Sequence, residues 1–402
     1  MILPCRIHRP RNRVDSLPLA LLFAALLALQ PAHTRGQDAA GSTFEAAGLG
    51  WLPAVPVQIT AGVEAGYDDN ATLSNVPEAS WFTRENVVLT YDRPGGVTQF
   101  SMLGVGRFSQ FFDVSGQDET AGNVTMSLAH QFSTRLSFYA SIYGAYQTEP
   151  NFQSDVGPEN VRAAYFYTND IFSLTYYLLP RLSTVTSYTF QRIKYEESSL
   201  GSFQDRVQNT FGEQLQYSLT LRTNLLANYR YEVIDYDTAP TDSTTNYVLV
   251  GFDHHLTEHM VVHALGGEAF RSLENAGSRA DPYVEGSLGY TRSNHSLIWT
   301  TSYGYEAPNS QGVSVRTTLR TGVVLNYGLT SRLNSTTGIY YHHDDNSGSG
   351  TQDSFDLSIG LRYTIDKHFT LGLNYAHTTQ GSLGSTPGYS RNRYFAGLTY
   401  TY

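Results

Sequence analysis

The sequence predicts an all-β protein: a transmembrane, antiparallel, up-and-down β-barrel of about 18 strands. Two observations carry that expectation. Short turns holding a basic residue recur at intervals of 36 to 46 residues. Between them the side chains alternate apolar and polar with a period of two, as a sheet between lipid and water requires. The turns are Ser133-Thr134-Arg135, Leu179-Pro180-Arg181, Leu221-Arg222-Thr223, Thr257-Glu258-His259, Ser293-Asn294-His295, Thr330-Ser331-Arg332 and Asp366-Lys367-His368. Each is short enough for a hairpin, and a longer polar loop separates each from the next. Outer-membrane barrels show this asymmetry, with tight periplasmic turns and long external loops.

The N-terminal element is of a different kind. Arg6, Arg9, Arg11 and Arg13 precede an apolar run from Leu17 to Leu29, and small or polar residues follow. Residues 1–36 therefore read as a secretory signal peptide, cleaved within about 32–41, because the apolar run is too short for a spanning helix. Residues 37–56 form a short periplasmic segment, and residues 57–402 the barrel. Cys5, the single cysteine, precedes the apolar run, so the mature chain is expected to carry no thiol and no disulfide. The first 36 residues hold five of the 26 basic and one of the 36 acidic residues, which leaves 21 against 35 and a charge of −14. That surplus argues against nucleic acid as a partner, since phosphate binding needs a positive field.

No run of 18 apolar residues exists after position 36, so any crossing is made by strands. Their starts fall near Val57, Trp81, Val97, Ala121, Arg135, Val161, Arg181, Arg206, Arg222, Thr244, His259, Asp281, His295, Val313, Arg332, Asp353, Lys367 and Arg391. The alternation is plainest where Leu225, Ala227, Tyr229, Tyr231 and Val233 oppose Asn224, Asn228, Arg230 and Glu232. It recurs where Phe355, Leu357, Ile359, Leu361 and Tyr363 oppose Asp356, Ser358, Gly360, Arg362 and Thr364. It slips at Asn169-Asp170, and both faces are apolar over Val248–Phe252, where a bulge or a lost hairpin would reduce the count to 16. An even count places both chain ends on the periplasmic side.

Tyrosines near strand ends, among them Tyr67, Tyr91, Tyr290, Tyr327 and Tyr363, suit the aromatic girdles of a barrel. The final strand alternates from Arg391 to a terminal Tyr402, like the strand that the barrel-assembly machinery reads. With these turns, this closing strand and the segment Ala65-Gly66-Tyr67-Asp68-Asp69-Asn70, residues 57–402 resemble the β-barrel porin-2 family. The resemblance implies an outer-membrane location in a Gram-negative bacterium and a link to exopolysaccharide gene clusters. It supplies no catalytic residues.

Parity points Arg230, Glu232, Arg316, Arg320, Asp356 and Arg362 into the lumen, where they are candidate pore-lining residues. Wall arginines would favour anionic or polyhydroxylated solutes, and the competing reading is an ion-pair ladder that stiffens the wall. Asp68-Asp69, Glu196-Glu197, Asp235, Asp237, Asp242 and Asp344-Asp345 are expected in acidic external loops, as a solvated rim beside lipopolysaccharide. Neighbouring residues of His342-His343-Asp344-Asp345 point to opposite faces of a strand, so no metal site and no cofactor is expected. No Gly-x-Ser-x-Gly elbow or other triad signal suggests an enzyme. The expected function is passive passage of hydrophilic solutes through a water-filled lumen. The alternatives are an exopolysaccharide export barrel with periplasmic polysaccharide-export partners, or a non-conducting structural or adhesive barrel.

Overall fold

The computed structural model describes residues 57–402, except 152–155, 158–161, 275–276, 309–312, 314 and 385. Residues 1–36, expected to be a signal peptide, and the expected periplasmic segment 37–56 lie outside the described residues. The chain runs through β1 (Val57–Asp68), β2 (Ser80–Arg93), β3 (Thr98–Phe111), β4 (Glu119–Gln131), β5 (Leu136–Gln147) and β6 (Tyr165–Leu179). It continues through β7 (Leu182–Tyr195), β8 (Arg206–Thr220), β9 (Thr223–Tyr236), β10 (Ser243–His255), β11 (Met260–Leu273) and β12 (Gly277–Arg292). The last third is β13 (His295–Glu306), β14 (Arg316–Gly328), β15 (Leu333–Asn346), β16 (Gly350–Thr364), β17 (Phe369–Gln380) and β18 (Tyr389–Thr401). A seven-residue helix, Ser198–Gln204, caps the β7–β8 connection.

Every strand pairs antiparallel with its sequence neighbours, and β18 returns to β1 over Thr60↔Thr401 to Asp68↔Arg393. The ring is therefore closed at 18 strands with no free edge, so each strand's backbone groups find partners in the neighbouring strands. Strand starts fall within four residues of the expected positions. Asn169 and Asp170 sit in an unbroken β6. The two register shifts lie instead beside short turns, at Tyr177/Leu179 and Ser218/Thr220. Over Val248–Phe252 both faces are apolar because Val248, Val250 and Phe252 face outward while Leu249 packs inside against Leu226 and Leu265.

Two expectations about the connections are corrected. Strands run 12 to 16 residues rather than about ten, because ladder pairing continues beyond the length that crosses a bilayer. The β11–β12 and β15–β16 connections consequently shrink to positions 274–276 and 347–349. An eighth short turn, at positions 94–97, joins β2 to β3 without a basic residue, which hid it from the pattern.

The outer wall is apolar. Val63, Val87, Val124, Ile142, Val250, Ile298, Ile359, Leu373 and Leu398 all stand exposed on outward-facing rows. Near the short turns, Tyr91 meets Phe100 with ring centroids 5.8 Å apart and Tyr327 stacks on His295 at 4.8 Å, while Tyr67 meets Trp81 edge-on at the other end. An exposed apolar belt bounded by aromatic rings is the surface of a transmembrane barrel.

The Gly66-Tyr67-Asp68-Asp69-Asn70 segment is the seam of the ring. Asp68 accepts the Arg391 guanidinium, and Asp69 accepts the Asn392 backbone N–H at 2.6 Å and its Nδ2 at 2.7 Å. Asn70 Nδ2 donates to the carbonyls of Ser74 (2.7 Å) and Ser390 (3.0 Å). A Cβ at Gly66 would come within 2.6 Å of both Phe395 Cβ and Phe82 Cζ, so only glycine allows this approach of β18.

Candidate lumen wall

All six sequence-predicted residues lie on inward-facing rows, but they do not form one cluster. Arg230 on β9 makes a bidentate pair with Glu285 on β12, at 2.9 and 2.6 Å. Tyr283 donates to the same carboxylate at 2.7 Å, and His263 Nδ1 stands 2.6 Å from Asp253 with its Nε2 3.8 Å from Glu285. Glu232 accepts from Gln208 Nε2 at 2.8 Å and from the Tyr247 hydroxyl at 3.2 Å. On β14, Arg316 pairs with Asp344 at 3.5 Å and Arg320 with Glu306 at 3.3 Å. Asp356 accepts from Thr378 at 2.6 Å, and Arg362 lies lower on the same row of β16, near the short turn.

The ladder reading of these charges therefore has direct geometry behind it. Arg316 is 1% exposed, and Asp344 receives both its guanidinium and the Thr318 hydroxyl. Four acidic residues expected in solvated loops, Asp68, Asp235, Asp344 and Asp345, lie in strands instead. Asp68 ends β1 fully buried against Arg391, and Asp344 lies within β15 facing Arg316. Both carboxylates were drawn inward by parity, which a loop assignment ignores. Asp235 likewise belongs to β9, whereas Asp237 lies in the connection and pairs with Arg192. His342 is buried on the inner face while His343 faces outward, 2.8 Å from Asp353, so the pair does not converge.

A second charged group had escaped the sequence. On the inner wall of β1, β2 and β18, Arg84 stands 3.8 Å from Glu64 and donates to Ser109 at 3.0 Å. Glu149, in the β5–β6 connection, reaches Arg391 at 3.0 Å and Arg393 at 3.2 Å. Arg162, near the end of that connection, pairs with Glu149 at 2.7 Å, donates to the Ala71 carbonyl at 2.9 Å and lies 4.6 Å over the Phe111 ring. Glu149 and Arg162, near the two ends of this connection, thus both reach the ends of β1, β3 and β18. Burial alone would raise the Glu149 carboxyl, but the charges of Arg391, Arg393 and Arg162 outweigh it and hold the group well below the carboxylate range. Burial pulls Arg162 down from its ordinary value against the pull of Glu149. The parity of Arg391, Arg393 and Phe395 signalled an inward row, but their partners are more than 200 residues away.

An apolar patch shares the wall with these charges. Leu226, Tyr247, Leu249, Leu265, Ala269 and Leu273 pack together on the inner face of β9 to β11. On β9 to β12 the inner surface thus sets tyrosines and aliphatics among charged pairs such as Arg230 with Glu285 and His263 with Asp253.

No protein-family model matches the chain, and neither does any curated relative. Among solved structures, OccAB4 of Acinetobacter baumannii is 10% identical, with a TM-score of 0.42 over 86% of this chain and 98% of its own. The outer membrane protein OpdK of Pseudomonas aeruginosa is 12% identical, with a TM-score of 0.42 over 86% and 99%. The siderophore receptor PirA of Pseudomonas aeruginosa is 8% identical, with a TM-score of 0.41 over 87% and 81%. These scores are too low to transfer anything from those proteins to this chain.

Proposed function

We propose that this protein is an outer-membrane channel of a Gram-negative bacterium that passes hydrophilic solutes passively through its lumen. The observation that carries the reading is the closed ring of 18 strands with an apolar outer belt and a charged inner wall. A wall that needed only to stand in the membrane could be filled with aliphatics, whereas this one sets Arg230, Glu232, Arg316, Arg320, Asp356 and Arg362 inward. In this reading Glu149 and Arg162 stand at the outer mouth and the wall arginines favour anionic or polyhydroxylated solutes. The chain needs no catalytic group or cofactor for that role. Lipopolysaccharide and lipid surround the belt, and the assembly machinery engages the strand that ends at Tyr402. Membership of the β-barrel porin-2 family, and with it polysaccharide export assisted by periplasmic proteins, is the finer reading that the seam segment and closing strand support.

One observation favours a second reading. Arg84, Arg271 and Arg316 are at most 2% exposed, so part of the inner wall is packed rather than wet. A non-conducting structural or adhesive barrel would have such a wall throughout. Liposome swelling with neutral sugars and sugar acids of graded size separates the two. The channel reading predicts swelling that falls with solute size and favours the acids, and no swelling with any solute refutes it.

A further inference from the structure

The outer wall is not uniformly apolar. On β8 the exposed outward row reads Phe211, Glu213, Leu215, so a carboxylate stands between two lipid-facing side chains. Glu213 is the central residue of its 15-residue strand. It lies six residues from Leu219, about 15 Å along the membrane normal at ordinary strand rise and tilt, and so inside a belt about 25 Å tall. It accepts hydroxyl hydrogen bonds from Thr184 and from Thr186, the latter at 2.6 Å.

The neighbouring strands repeat the theme on the same face. Thr168 donates to Asp170 at 2.9 Å, Tyr188 to Asn209 at 2.8 Å and Tyr229 to Asn246 at 2.7 Å. These four sets occupy adjacent strands from β6 to β10. Outward sets of this kind also occur on β17 and β18, where Tyr375 and His377 meet Asn392 at 2.9 Å, so what sets β8 apart is its carboxylate: between Phe355 and Tyr363, Phe369 and Tyr375, or Tyr400 and Tyr394 the outward rows of β16, β17 and β18 carry none. Carboxylates facing hydrocarbon are costly and are found where another polar surface meets them.

We infer that the outward face of β6 to β10 is covered in the membrane by the same face of a second copy of this chain. The occupant has to sit in the same bilayer at the same depth and bring both donors and acceptors to mid-height. A copy related by a two-fold axis along the membrane normal does so by construction, bringing its own threonines to the level of Glu213 and its amides just above it. Five strands at about 4.8 Å spacing by a belt about 25 Å tall give roughly 600 Å² per partner, close to the ~800 Å² of a standard interface. The inference is independent of whether the lumen conducts.

Cysteine cross-linking in native membranes tests it, with Cys5→Ser as background so that the introduced thiol is the only one. Leu215→Cys, beside Glu213, should give a species of doubled mass with a short thiol-reactive cross-linker, and Leu361→Cys on β16 should stay single. Glu213→Leu added to Leu215→Cys should lose the doubled species while still running as a folded barrel before heating. Light scattering of the unmodified protein in mild detergent should read two chains. A single-chain mass, cross-linking from position 361 instead of 215, a different protein captured at 215, or a doubled species that survives Glu213→Leu each overturns the inference.

Discussion

Ile359→Arg probes which face of the wall meets lipid. Ile359 is 39% exposed on the outward row of β16, between Leu357 and Leu361. At about 2.6 Å of height per residue it lies roughly 20 Å from Thr351, on the same row at the far end of the strand. With a belt about 25 Å tall, position 359 is inside hydrocarbon while position 351 is at or beyond its edge. Arginine at 359 should therefore destabilise the barrel by about 2–4 kcal/mol, and Thr351→Arg by about 0–1 kcal/mol. Urea unfolding in phospholipid vesicles, followed by tryptophan fluorescence, reads both. Equal tolerance of arginine at the two positions would refute the assignment of this row to lipid.

Other consequences follow from the inner wall and the seam. Gly66→Val forces a side chain into Phe395 and Phe82 and should open the β1–β18 seam, seen as lost heat-resistant folded species on gels. Arg391→Met removes the guanidinium bound to both oxygens of buried Asp68, and one of three that face Glu149, and should cost about 3–5 kcal/mol in the same urea assay. Leu249→Ala removes a side chain that is 1% exposed within the inner apolar patch, for a loss of about 2–5 kcal/mol. Because the Glu149 carboxyl is held below its ordinary value of 4.5, its hold on the β5–β6 connection is complete above that value and fades as the pH falls through the lowered one. Limited proteolysis around Arg162 should accelerate at low pH in the native chain, and at neutral pH in Glu149→Gln.

Fold and strand count were legible because a barrel strand declares itself locally: parity sets its face and a turn residue sets its end. Parity also placed Arg230, Glu232, Arg316, Arg320, Asp356 and Arg362 on the inner row. Partners were not legible, because they depend on which strands become neighbours or face each other. Asp68 and Arg391 are separated by 323 positions and meet only when the ring closes. Arg230 and Glu285 lie three strands apart and meet through the curvature of the wall. Asp344 was misread as a loop residue because a run of His and Asp suggests solvent, although the ladder to β14 and β16 extends through it. Apolar residues at inward positions, such as Leu226 and Leu249, made the alternation fade where the structure is best packed. Glu213 breaks the pattern in the opposite sense, as a charge on a lipid-facing row.

The proposed channel requires a conducting path through the ring past Arg230, Arg316, Arg320 and Arg362. Single-channel recording of the refolded protein in planar bilayers tests it most directly. Such a path gives stepwise ion currents with anion preference, and a reduced preference in Arg316→Ala plus Arg320→Ala. A barrel that inserts yet carries no current at any voltage would contradict it.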